Sequence, residues 1–161
     1  MFERLRAIDI IAGAVGGAAA IAVMELLSVR AAFPLMAIPF ATSIVLVTGS
    51  PDSEPAQPRA LIGGHLISTL VGLLVAHVAG PGPWIAAVAV GFATVAMHLT
   101  RTFHPPAGID PLVVVVNDMP WLFLIVPVGV GALMLAVFAF LWHKLVRHST
   151  AGERSWPHRW W

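Results

Sequence analysis

Four stretches of this chain carry no Asp, Glu, Lys or Arg at all: Ile10 to Met24, Ala60 to Gly80, Trp84 to Thr100 and Met119 to Trp142. A hydrocarbon core about 30 Å thick takes roughly 20 helical residues to cross, so runs of this length are built to the scale of a bilayer. The runs are continuous rather than alternating, which selects helices over barrel strands, whose faces must alternate between lipid and lumen. Only 11% of residues are charged and 58% are hydrophobic. A soluble domain carries about 25% charged residues. The chain therefore reads as an all-α membrane protein, in contact with the lipid bilayer along most of its length.

Four segments are long enough to span, at about 8–29, 60–80, 83–100 and 120–143. Two others, 34–49 and 105–117, contain prolines and fall short of a full crossing. They are expected to be broken or re-entrant helices, which survive at membrane depth only where protein or a water-filled cavity surrounds them. The expected architecture is a polytopic helical bundle of four long transmembrane helices and two short proline-broken ones. It forms a single domain over 1–146, followed by a basic, Trp-rich tail over 147–161. The first apolar run follows Arg4 and Arg6, as in a signal peptide, but its length and the apolar segments after it favour a retained helix. Arg4 and Arg6 at one end, and Lys144, Arg147, Arg154 and Arg159 at the other, place both termini in the cytoplasm. Four crossings result if both short segments are re-entrant, and six if both cross. The tail lies at an anionic leaflet or forms a free end.

Net charge is +1, so there is no basic footprint for nucleic acid, and cysteine is absent. Without thiolates, and with scattered carboxylates, no metal site is expected. No cofactor is implied, because no glycine-rich nucleotide loop is present. No hydroxyl nucleophile with a neighbouring base is evident, so the expectation is a non-enzyme. Gly13-x-x-x-Gly17 and the series Gly64, Ser68, Gly72 allow close helix approach, within one bundle or between copies of the chain.

A shift of 71 residues lays Arg30 on Arg101 and Pro34 on Pro105. Each half, about 8–80 and 83–146, then reads as an apolar helix, an arginine, a proline-broken segment and a second long helix, which suggests an internal two-fold repeat. Transporters built from two repeats often set interrupted helices against each other near the midplane, with half-helix N-termini presenting free N–H groups to an anion. Pro34 or Pro39, and Pro105 and Pro106, mark where such half-helices would begin.

The polar residues inside the apolar region are the candidate site. His104-Pro105-Pro106 must end the preceding helix and leave His104 extended. Arg101 and His104 either help bind or relay an ion, or form a helix-breaking turn with Arg101 snorkelling to headgroups. Glu25 is expected to be paired in the interior, with Arg30 or Arg101 as the candidate partner, the alternative being a residue near the membrane face. His65 and His77 read as imidazoles hydrogen-bonded inside the bundle. Asp110 caps a half-helix or balances Arg101, while Asn117 and Asp118 end the segment at water. Ser43, Ser68 and Thr69 are expected to bond back to their own helices.

These segments also carry a resemblance. Thr100-Arg101-Thr102-Phe103-His104-Pro105-Pro106-Ala107-Gly108 is similar to the signature of the HPP family of integral membrane proteins. Ile38-Pro39-Phe40, Gln57-Pro58-Arg59 and Gly63-Gly64-His65-Leu66 agree with that family in the same order, and the likeness covers about residues 8–143. The resemblance implies a polytopic protein with about four spanning helices. Some members are implicated in nitrite transport, and others carry regulatory CBS domains after the membrane part. Here Ala41-Thr42 stands where Gly-Ala is common, and Ile109-Asp110 where a small residue and often Asn appear. An ionised, unpaired aspartate beside the site would repel an anion.

The functional expectation is a transporter or channel for a small monovalent inorganic anion, nitrite above all, working as a homo-oligomer in a bacterial inner membrane. Half-helix N–H groups near Pro39 and Pro106 would contact the anion. Arg101 and Arg30 would supply the field, His104 would gate or carry a proton, and Arg59 would attract anions at the pore mouth. The alternatives are a membrane sensor without transport, and a proton or cation pathway through Glu25, Asp110 and the histidines.

Overall fold

The structure, a computed structural model, describes residues 7–31, 38–147, 156–158 and 160. Pro34, Arg4, Arg6, Arg154 and Arg159 lie outside the described residues, as does the Phe33-Pro34 part of the proposed repeat. Every regular element among the described residues is helical. They are α1 (Ala7–Ala31), α2 (Ile38–Gly49), α3 (Pro58–Ala79), α4 (Pro83–Leu99), α5 (Asp110–Val116) and α6 (Val130–Arg147). Short 3-10 turns cover Glu54–Ala56, Pro105–Ile109 and Trp121–Leu124.

Prolines set most of these beginnings. Pro58 and Pro83 are the first residues of α3 and α4, and Pro39 and Pro111 are the second residues of α2 and α5. A first-turn N–H has no intrahelical partner, so proline forfeits nothing there. Between α3 and α4 the chain reverses through Gly80 (φ 78°) and Gly82 (φ 157°), backbone conformations that L side chains resist. The tight Pro81-Gly82-Pro83 turn read from the sequence is therefore present.

The expected set of four long helices is corrected at α4. Three segments are long and apolar enough to cross a membrane: Ala7–Leu26, Pro58–Ala79 and Trp121–Val146. α4 has 17 residues, about 25 Å of helix at 1.5 Å per residue, and falls short of the core thickness. The last span is not one rod. Val126, just before Pro127, has φ −128° and ψ 118°, and regular helix begins only at Val130. Proline forces the residue before it out of helical geometry, so an apolar run of ample length still breaks at that point.

Neighbouring contacts give the helix directions. Gly13 meets Thr48 at the far end of α2, and Gly16 meets Trp142 late in α6. Gly64 meets His104 and Gly72 meets Pro111, so α3 and α5 run in parallel. α1 thus begins, and α6 ends, at the end of the bundle that also holds residues 50–57 and 100–104.

Lipid offers apolar side chains the same surroundings as a helix neighbour does, so association depends on close packing and interhelical hydrogen bonds. The small residues serve this packing within one chain. A Cβ on Gly64 would stand 2.5 Å from His104 Cβ, and one on Gly72 would stand 2.8 Å from Pro111 Cα. Gly13 and Gly17 face Thr48 of α2. The main buried cluster joins Met24, Phe40, Ile44, Leu61, Leu135 and Trp156. Trp156 lies in the segment expected to rest at a leaflet or run free; it is instead packed inside the protein.

Candidate functional site

The two short proline-entered segments meet at α3 through polar side chains. α2 supplies Ser43, α3 supplies His65 and Thr69, and the stretch after α4 supplies His104 and Asp110. Ser43, His65, His104 and Asp110 are each 0% exposed. They form one continuous chain. Asp110 Oδ2 lies 2.8 Å from His65 Nδ1. His65 Nε2 lies 2.8 Å from Ser43 Oγ, and Ser43 Oγ lies 2.9 Å from His104 Nε2. His104 Nδ1 is 2.7 Å from the carbonyl oxygen of Pro55, where the chain ends.

Local structure explains each placement. His104 is extended (φ −130°, ψ 96°) because a proline follows it, and Gly64 lets its backbone lie directly on α3. His65 and Thr69 are four residues apart on one face of α3, and Thr69 Oγ1 donates to the same Asp110 oxygen at 3.2 Å. Ser68 Oγ donates to the Ala107 carbonyl at 2.6 Å and fixes the 3-10 turn against α3. Asp110 Oδ1 is buried and has no hydrogen-bond partner among the described residues.

Proton counting constrains this chain. A carbonyl only accepts, so His104 Nδ1 must carry the hydrogen it gives to Pro55. The Ser43 hydroxyl stands 3.5 Å from its own-helix acceptor, the Pro39 carbonyl, a stretched contact. With His104 neutral, its Nε2 carries no hydrogen, so the Ser43 hydroxyl donates to it and Ser43 accepts from His65 Nε2. His65 then needs a hydrogen on Nε2 while its Nδ1 also pairs with Asp110. An ionised carboxylate and two neutral imidazoles supply one hydrogen too few for these four bonds. The fully bonded chain holds one additional proton, shared across the Asp110–His65 contact. Asp110, His65 and Ser43 also have the order of an acyl-transfer triad, but Ser43 Oγ is buried and already engaged by both imidazoles.

The other candidate residues lie elsewhere. Arg101 is exposed. It takes φ 56° just past the end of α4, with its N–H bonded to the His98 carbonyl and that of Thr102 to Met97. This is a Schellman closure, and it turns the Arg101 side chain outward. Arg30, in the last turn of α1, is exposed. Glu25 is exposed too, so the expected interior pairing with Arg30 or Arg101 does not form. α1 packs through Gly16, Gly17, Ala20 and Met24, and Glu25 falls off that face. Arg59 Nη2 donates to the Thr100 carbonyl at 3.0 Å, tying α3 to the turn after α4. His77 is exposed, beside Trp121, whereas His65 is buried and bonded.

Pro39 begins α2 deep in the bundle, and Pro105 and Pro106 begin their turn near its end. The segments run antiparallel, so their N-termini do not converge on one point. Pro55, Pro105 and Pro106 line an open vestibule of about 670 Å³, together with Thr42, Ser50 and Ser53. Sequence reasoning missed Ser43 as a site residue and expected Ser68 and Thr69 to bond to their own helices. All three reach across to other elements. Hydroxyls and an imidazole set within otherwise apolar runs were the available signal.

The family model for the HPP transmembrane region matches residues 3–151. The chain belongs to the HPP transmembrane family. Two curated transmembrane proteins of Dictyostelium discoideum are each 35% identical to it over 130 residues, 76% of this chain. The HPP chain spans 40% and 44% of the lengths of those two relatives. No solved structure matches it. Within the matched residues, His104-Pro105-Pro106 is the stretch that delivers His104 to the buried chain.

Proposed function

We propose that this HPP protein moves a small monovalent inorganic anion across the membrane together with a proton, with nitrite, the substrate implied by the family resemblance, as the leading candidate. The observation that carries this reading is the unbroken Asp110–His65–Ser43–His104 chain buried in the bundle, whose four bonds take one hydrogen more than an ionised carboxylate and two neutral imidazoles supply. A buried carboxylate repels an anion, and the additional proton cancels that charge. Anion approach and proton uptake are thereby coupled at one place. The hydroxyls of Thr42 and Ser50 give the vestibule hydrogen-bond donors, and among the described residues its walls contain no carboxylate. Arg59 and Arg101 lie at the same end of the bundle and favour anions at the mouth.

The element order supports an inverted repeat. α1, α2 and α3 are helices of 25, 12 and 22 residues, and α4, α5 and α6, of 17, 7 and 18 residues, again set a short helix between two longer ones, starting from the opposite end. A homo-oligomer, with one pathway per protomer, suits so small a bundle. The location proposed is a bacterial inner membrane with both termini cytoplasmic.

The test is uptake into proteoliposomes carrying nitrite-sensitive and pH-sensitive dyes. An inward proton gradient is expected to drive nitrite entry above that of empty liposomes, with matching acidification, and Asp110→Asn and His104→Ala each to cut it at least tenfold. Acidification with no anion movement would leave a proton pathway, the reading that Asp110 favours next. No flux of nitrite, other small anions or protons would end the transport account.

A further inference from the structure

The buried chain ends on a carbonyl, and a carbonyl is a poor terminus for proton transfer. It accepts a hydrogen bond but has no hydrogen to pass on. Water at that position would do both. Whatever holds Pro55 against His104 therefore decides whether the chain can exchange protons.

The turn that carries Pro55 is held from outside by the other end of the protein. Trp156 is 1% exposed and is the largest fully buried side chain among the described residues. Its Nε1–H donates to the Ala56 carbonyl at 3.1 Å, one residue from Pro55. Its ring packs against His143, with centroids 5.7 Å apart, and His143 donates from Nε2 to the Val47 carbonyl at 2.9 Å. The backbone N–H of His158 donates to Gln57 Oε1 at 2.9 Å, and His158 Nε2 lies 2.7 Å from Asp52 Oδ1. Gln57 completes the clamp from within, donating through Nε2 to Pro51 at 2.8 Å and Ser53 at 3.1 Å. Residues 156–158 thus grip both sides of the turn. They also lie beyond residues 3–151, the part matched by the family model.

We propose that Trp156–His158 is an autoinhibitory latch: docked, it presses the 54–57 turn onto His104 and caps the proton chain; released, it lets water replace the Pro55 carbonyl. The latch rests on the relay reading above and adds a control element to it. Its ligand is the chain's own turn, and the regulated event is proton exchange at His104 Nδ1.

Two measurements separate the latch from the transport reading. The first is proton flux in proteoliposomes for the full chain, a truncation after Ser155, Trp156→Ala and His158→Ala. Truncation is expected to raise flux at least fivefold, and His158→Ala, which removes one clamp contact, to raise it less. Unchanged or slower flux in a folded truncation overturns the latch. The second is amide hydrogen exchange in residues 53–57 and 102–107 of the same proteins. Truncation is expected to accelerate exchange in both segments by tenfold or more, and acceleration in 53–57 alone overturns the proposal. Should no form conduct, the relay reading fails, and exchange alone then decides whether the segment holds the turn on His104. If Trp156→Ala does not fold, the truncation and His158→Ala carry the test.

Discussion

The two short segments differ although they look alike in sequence. α2 is 12 residues of unbroken helix with a single proline near its start. The second segment has the same length but divides into a five-residue 3-10 turn and a seven-residue helix, with Pro105, Pro106 and Pro111 in it. In α2 the proline only starts the helix, and the segment gives the site one hydroxyl, Ser43. In the second, consecutive prolines hold the backbone away from α geometry and present His104 at one end and Asp110 at the other. Proline breaks build this site by re-aiming side chains, and converging amide dipoles play no part in the arrangement seen.

The difference is sharpest at Asp110. Asp110→Leu would leave His65 Nδ1 buried and unpaired, and loss of one partner of a buried charged pair costs about 3–5 kcal/mol. Asp110→Asn keeps a partner for His65, its amide N–H donating to the bare Nδ1, and should fold, while removing the shared proton. Thermal unfolding in detergent is expected to show the Leu variant severely destabilised and the Asn variant near wild type. Equal loss in both would mean that the carboxylate is structural and carries no proton.

Packing gives the next contrast. A Cβ on Gly64 meets His104 Cβ at 2.5 Å and the Thr102 carbonyl oxygen at 2.9 Å, both tied to backbone, whereas one on Gly13 meets the Thr48 carbonyl oxygen of α2 at 3.2 Å. Overpacking of this kind costs about 1–3 kcal/mol. Gly64→Ala is expected at the upper end of that range and Gly13→Ala below it. Thermal unfolding of the two variants side by side checks the order, and a reversed order would show α2 to be the more tightly seated segment.

Ser43→Ala removes the only side chain through which α2 enters the proton chain. It leaves His65 Nε2 and His104 Nε2 without their shared partner, at about 1–3 kcal/mol. Coupled flux should fall at least tenfold while helix content by circular dichroism holds. Flux at the wild-type level would reduce α2 to a wall of the site.

The smallest effect is expected at Arg101. Its left-handed backbone costs about 1–2 kcal/mol for a residue with a Cβ. Arg101→Gly should therefore raise the unfolding temperature slightly and change uptake little. A large loss of anion uptake would restore the arginine to the site's field.

The sequence made much of the architecture legible, and for local reasons. Uncharged runs reveal spanning helices because every charge in lipid is costly, and Pro39, Pro58, Pro83 and Pro105 mark helix starts because proline acts on its own backbone and its immediate neighbour. The extended backbone of His104 followed from Pro105 alone. An error arose where packing decided: Glu25 turned outward because α1 packs through its glycine face.

Apolar runs and prolines were enough to determine that the chain is a helical membrane protein and where its backbone bends. Only the tertiary structure decided that Ser43, His65, His104 and Asp110 share one hydrogen-bonded chain, and that Trp156 closes over its end. Segments 22, 45 and 61 residues apart supply those bonds, and Trp156 reaches back 100 residues. Hydrogen bonds act over about 3 Å. Which residues come that close is set by how the helix faces pack.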